Sequence, residues 1–88
     1  GGLDNIGRVN DNFQYVIDNP LPVPSVFDWL QEKGSIETKE MYRTFNMGMG
    51  MIIIVDKAEA SKSVSILGKH AQVVGSVENG KGVNHSAF

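Results

Sequence analysis

The sequence predicts a layered fold, α/β or α+β, with one sheet and helices packed on it. Three observations carry this. Phe13, Tyr15 and Ile17 alternate with Gln14, Val16 and Asp18, the period of a strand with one apolar face. Val26, Trp29 and Leu30, with Phe27 alongside, fall at helical spacing between Pro24 and Gly34, a start and a stop signal. From Thr44 to Val55 the period returns to two.

In chain order, Gly1 and Gly2 lead into one or two helical turns over Leu3 to Arg8. The strand around Phe13 to Asp18 runs into Asn19-Pro20-Leu21-Pro22-Val23-Pro24, where three prolines fix φ and remove donors, so this is a stiff extended connector. Ser25 to Lys33 is the first helix, and Ser35 is placed to cap a second, shorter one through Arg43, with Glu37 and Glu40 in its early turns. Thr44 to Val55 is expected as a long central strand. Phe45, Met47, Met49, Met51, Ile53 and Val55 share one face, Asn46, Gly48, Gly50, Ile52 and Ile54 the other, and both faces are apolar by Ile52. Asp56 and Glu59 have the spacing of a capping box, so a helix should run to about Lys69 with Ala60, Val64 and Leu67 inward. Gln72 to Val77 is the next strand. Asn79-Gly80 signals a tight turn that returns Val83 as a hairpin partner, and Asn84 to Phe88 is expected to fray.

Composition narrows the function classes. A chain of 88 residues is one small domain. Eight basic residues are spread along a chain of net charge −2, which argues against nucleic acid as a partner. There is no cysteine, so neither a disulfide nor a thiolate metal site contributes. His70 and His85 have no carboxylate at ligand spacing, and no metal site is expected. The longest apolar run, Met47 to Val55, contains Gly48 and Gly50 and is too short to cross a bilayer. No signal-peptide pattern opens the chain, and the missing initiator methionine suits a fragment, although Gly1-Gly2 equally suits a cloning remnant.

Two stretches could carry chemistry. If Thr44 to Val55 is extended, Asn46, Gly48 and Gly50 line one face, a trough without side chains that a ligand or a backbone could enter. Arg43 and Tyr42 stand where helix hands over to strand, and an arginine there could grip a phosphate or carboxylate. The structural alternative is that the glycines admit a crossing helix, that Arg43 forms a surface ion pair, and that the alternating methionines pack the core. The second stretch is Gly1-Gly2-Leu3-Asp4-Asn5, glycines leading into a helix N-terminus that could hold a phosphate. No Ser–His–Asp set is visible, and no catalytic residue is assigned.

Glu40-Met41-Tyr42-Arg43-Thr44-Phe45-Asn46-Met47-Gly48-Met49-Gly50-Met51 resembles a motif of the phosphoribosylformylglycinamidine cyclo-ligase (aminoimidazole ribonucleotide synthetase) family. Pro24 to Gly34 is similar to the family's segment in the same place. Gly1-Gly2-Leu3-Asp4-Asn5-Ile6-Gly7-Arg8 resembles the end of its glycine-rich element, with Asp4 where the family usually has Glu and Gly7 where it usually has Pro. The likeness covers nearly the whole chain in the right order. It implies an α+β fold, a mixed sheet with packed helices, in which residues 1–88 are the later part of a C-terminal domain whose N-terminal ATP-binding partner domain is absent. It further implies a cytoplasmic, homodimeric, ATP- and magnesium-dependent ligase acting on a small nucleotide substrate. ATP and magnesium would be held mainly by the N-terminal domain. Gly1, Gly2, Asn5, Arg43, Asn46, Gly48 and Gly50 are the implied substrate- or phosphate-binding positions. The rivals are ATP-using relatives of the same fold, such as selenophosphate synthetase or thiamine-monophosphate kinase, and a non-catalytic module that binds a phosphate ligand or mediates assembly.

Overall fold

A computed structural model describes residues 1–87. Strand β1, Phe13–Ile17, is the middle of a three-stranded mixed sheet. Strand β2, Gly75–Asn79, lies antiparallel on one side of it and β3, Gly82–His85, parallel on the other. The sheet with its packed helices is an α+β arrangement.

The strands joined at Asn79-Gly80 therefore do not form the expected hairpin. They straddle β1, with Phe13 opposite Asn79 and Gln14 opposite Gly82. Two strands on either side of a third are about 10 Å apart. The three Cα steps from Asn79 to Gly82 reach at most about 11 Å, so the connector is nearly taut. It crosses directly over the start of β1: a Cβ on Gly80 would stand 3.2 Å from that of Gln14. Gly80 and Gly82 both take positive φ there, 137° and 82°. The reason for the insertion is burial. Tyr15 and Ile17 are each 2% exposed, whereas β2 is polar and open along most of its length. The most apolar strand takes the centre.

Helix α1, Ser25–Gly34, follows the proline connector. It docks through Phe27 and Leu30, and Phe27 meets the ring of Phe45 at 5.9 Å. Val26 and Trp29, expected on the same inner face, are 53% and 57% exposed. One residue of helix is a 100° turn, so a stripe through Phe27 and Leu30 leaves its neighbours outside. Ser35 does not cap the second helix. It closes the first in a left-handed conformation (φ 50°), and Ile36 N–H donates to the Gln31 carbonyl, as in a Schellman motif. Helix α2, Thr38–Thr44, begins after Glu37.

The long central strand expected over Thr44 to Val55 does not form. The chain turns at Asn46 to Met49, where Met47 and Gly48 take φ of 53° and 96° and Met49 N–H donates to the Asn46 carbonyl. Positive φ at both central positions is the type I′ pattern. Residues 50–56 then run on without entering the sheet. A 3₁₀ turn, Lys57–Glu59, leads into helix α3, Ala60–Leu67, which ends at Gly68 rather than Lys69. Asp56 makes no side-chain cap bond. Ala60 and Val64 are half-buried as expected, but Leu67 is exposed.

The core gathers Leu3 of the opening 3₁₀ turn, Leu3–Arg8, with Ile17, Met41, Tyr42, Met47 and Met49. Met47 and Met49 thus pack the interior, whereas Met51 is 82% exposed. β2 starts later than expected, but Val74 already accepts from the N–H groups of Asp18 and Asn19. The tail does not fray at Asn84: His85 is 1% exposed, and Ser86 N–H donates to the Ile17 carbonyl. The expectation for Phe88 lies outside the described residues.

Candidate functional site where the glycine pair meets helix α2

The two candidate stretches meet. Gly2 is buried on the C-terminal end of α2, where any side chain would collide with the Tyr42 and Arg43 carbonyls. A Cβ on Gly1 would lie 3.1 Å from the Thr44 carbonyl oxygen. The glycines are needed here because backbone lies on backbone. Asn5 N–H then donates to the Gly2 carbonyl at 3.1 Å and starts the 3₁₀ turn.

Beside this junction is a shallow recess of about 160 Å³, lined by Asp4, Lys39, Tyr42 and Arg43. Lys39 and Arg43 are four residues apart, so they share a face of α2. Arg43 is held by an exposed contact with Glu40 at 3.7 Å. Such surface pairs are weak, so the guanidinium can be drawn to a ligand at little cost. Two cations beside one carboxylate and a phenol suit an anion with hydroxyl groups, such as a phosphorylated sugar. The Tyr42 wall is backed by the ring of His85 at 4.5 Å. His85 Nδ1 accepts from Ala87 N–H at 2.9 Å, and burial holds this histidine below its usual pKa.

Asn46, Gly48 and Gly50 stand elsewhere and do not share a strand face, because the strand is replaced by the turn. The Asn46 amide oxygen accepts from Gly48 N–H at 2.9 Å, fixing that turn from within. The space at Gly48 is filled by the proline connector: a Cβ would lie 2.6 Å from Pro24 Cδ and 3.1 Å from the Pro22 carbonyl oxygen. At Gly50 a Cβ would meet nothing within 4 Å. The structure therefore gathers Gly1, Gly2 and Arg43, keeps Asn5 in the adjoining turn, and puts Asn46, Gly48 and Gly50 in the following segment. Lys39 was not singled out from the sequence. Its four-residue spacing from Arg43 was the available signal.

Among the described residues, no group of three or more His, Asp or Glu side chains could hold a metal ion. No helix among them is long and apolar enough to cross a membrane.

The order of elements and the seating of the glycine pair place this domain in a defined class. The chain belongs to the family described as "AIR synthase related protein, C-terminal domain", whose model matches residues 1–87. Its relatives make the likeness more particular. A protein named phosphoribosylformylglycinamidine cyclo-ligase from Methanopyrus kandleri is 47% identical over 85 residues, 94% of this chain and 25% of that protein. The protein of that name from Methanocaldococcus jannaschii is 42% identical over 88 residues, 96% of this chain and 25% of that protein. The one from Lachnoclostridium phytofermentans is 51% identical over 62 residues, 67% of this chain and 18% of that protein. The chain spans about a quarter of the length of the first and second of these.

Proposed function

We propose that residues 1–88 are the later part of the C-terminal domain of a phosphoribosylformylglycinamidine cyclo-ligase, a cytoplasmic, homodimeric enzyme of purine biosynthesis. The observation that carries this reading is identity of 47% and 42% to proteins of that name across almost the whole chain. In the reaction the family resemblance implies, ATP phosphorylates the amide oxygen of formylglycinamidine ribonucleotide. An internal nitrogen then closes the imidazole ring and phosphate leaves, giving aminoimidazole ribonucleotide, ADP and phosphate. Catalysis of this kind is mainly positioning and charge stabilisation.

The role proposed for this segment is to hold the phosphate-bearing substrate. Arg43, with Lys39 beside it, supplies the positive charge, and the Gly1-Gly2-Asn5 turn shapes the adjoining wall. Asn46, Gly48 and Gly50 act through the turn that places the motif's following residues. The donors here do not make a magnesium site, since no carboxylate or histidine cluster exists among the described residues. ATP and magnesium fall to the N-terminal domain.

The test is Arg43→Ala in the polypeptide extended to the length of its relatives, assayed for ATP-dependent formation of aminoimidazole ribonucleotide. The Arg43 side chain is 72% exposed, so the substitution should leave the fold intact. The expected result is a loss of roughly 10–100-fold in kcat/KM, carried mostly by KM for the ribonucleotide and partly restored by lysine. An active wild type with an unchanged Arg43→Ala variant would remove the recess from the substrate site. A folded wild type that makes no product would overturn the cyclo-ligase reading in favour of a relative or a non-catalytic module.

A further inference from the structure

Residues 50–55 carry Gly-Met-Ile-Ile-Ile-Val, and none of their backbone groups has a hydrogen-bond partner among the described residues. Met51, Ile53, Ile54 and Val55 are 82%, 54%, 46% and 40% exposed. This run forms one wall of a long open groove of about 890 Å³. The opposite wall is β2, whose outer edge is also unpaired because β2 bonds only to β1. The floor and flank include Ile52, Val64, Leu67, Val73 and Val77. Two unpaired backbone edges and an apolar floor thus face one slot.

We infer that this groove is the seat of a β-strand from the part of a relative-length polypeptide that lies outside these residues, inserted against the 50–55 run and the outer edge of β2. Three observations select that occupant. Successive unpaired N–H and C=O groups need partners repeating along an extended line, which another strand supplies and a small ligand does not. The run is apolar on both faces, the pattern of an interior strand covered on both sides. Finally, the chain is only about a quarter of the length of its relatives, so ample polypeptide remains to fill the slot. The inference rests on family membership alone and is independent of which reaction the enzyme performs. It also gives a physical reason why Thr44 to Val55 reads as a central strand yet stands outside the sheet: the other side of the ladder is elsewhere in the polypeptide.

Amide hydrogen exchange tests this, comparing the 88-residue chain with the relative-length polypeptide. The amides of Tyr15, Val16 and Ile17 serve as the internal standard that the sheet is folded in both. The expected result is that residues 51–55 exchange near intrinsic rates in the short chain at low concentration and at least ~100-fold more slowly in the long one. Open amides at 51–55 in the long polypeptide, with β1 protected, would overturn the inference. So would protection that is already complete in the short chain and grows with its concentration in step with dimer formation, since a second copy would then be the natural occupant. Ile53→Asp gives an independent readout. It should be silent in the short chain, whose residue 53 faces solvent, and should lower the midpoint of unfolding of the long polypeptide. An equal effect on both would also overturn the inference.

Discussion

Replacing Gly48 with alanine should damage the fold far more than the same change at Gly50, two residues on. Gly48 sits at φ 96°, and a left-handed conformation costs an L-residue roughly 1–2 kcal/mol. Its Cβ would also stand 2.6 Å from Pro24 Cδ and 3.1 Å from the Pro22 carbonyl oxygen. Neither neighbour is the free end of a flexible side chain: one is a ring atom and the other is backbone. Relieving that overlap should cost about 1–3 kcal/mol more. The sum, roughly 2–5 kcal/mol, is a large part of the whole stability of a domain, about 5–15 kcal/mol. In a domain of this size each 1 kcal/mol moves Tm by about 4–8 °C, so Gly48→Ala should lower it by at least ~10 °C. At Gly50 the added methyl meets nothing within 4 Å, and loss of unfolded-state freedom should make Gly50→Ala neutral or stabilising by under about 1 kcal/mol. Thermal and urea unfolding of the two variants beside wild type decides the matter. Equal losses at the two sites, or a Gly48→Ala variant within about 0.5 kcal/mol of wild type, would refute the turn-and-connector account and restore the picture of a shared glycine face.

Two further perturbations probe the interior. His85 is held neutral by burial, its pKa lowered from the ordinary 6.5, and its Nδ1 accepts from Ala87 N–H. Because the folded pKa is the lower one, this contribution is complete above about pH 6.5. It declines as pH falls below that value, where the unfolded chain takes up the proton first, and is lost through the folded pKa. Urea midpoints measured from pH 8 to 5 should therefore fall on the acid side, and His85→Phe should flatten that part of the profile. A wild-type midpoint that rises toward pH 5 would contradict the assignment. Met41 is 0% exposed at the centre of the core, so Met41→Ala should cost about 2–5 kcal/mol by denaturant unfolding, and a loss under about 1 kcal/mol would mean that the cavity collapses around it.

Much of this architecture was legible from local pattern, and the failures share one cause. β1 was recognisable because Tyr15 and Ile17 alternate and both are buried. Helix α1 was recognisable from its spacing and its flanking Pro24 and Gly34, although the inner stripe passes through Phe27 and Leu30 rather than Val26 and Trp29. The β2–β3 pairing failed because Asn79-Gly80 specifies a reversal of direction and says nothing about what may enter between the arms. That depends on the apolar strength of a strand some 60 residues earlier. Thr44 to Val55 failed in a similar way. Period two states how a segment will pack if it finds a ladder, and a strand without a partner is not stable by itself.

The candidate site shows the same limit at the scale of single residues. A glycine pair and a Gly-x-Gly both signal close approach, but sequence cannot say whether the approaching group is a ligand or the protein's own backbone. At Gly2 it is the end of α2, and at Gly48 it is the Pro22–Pro24 connector. Those glycines therefore shape the site from behind, and the positions left to meet a phosphate are the ones with charge and exposure. Arg43 has both, and Lys39 completes the pair only once the chain from Thr38 is known to be helical. Substitution at Gly2 or Gly48 would thus lower activity by unfolding, while substitution at Arg43 should lower it with the unfolding midpoint unchanged. Measuring both quantities on the same variants separates the frame of the site from the groups that would bind.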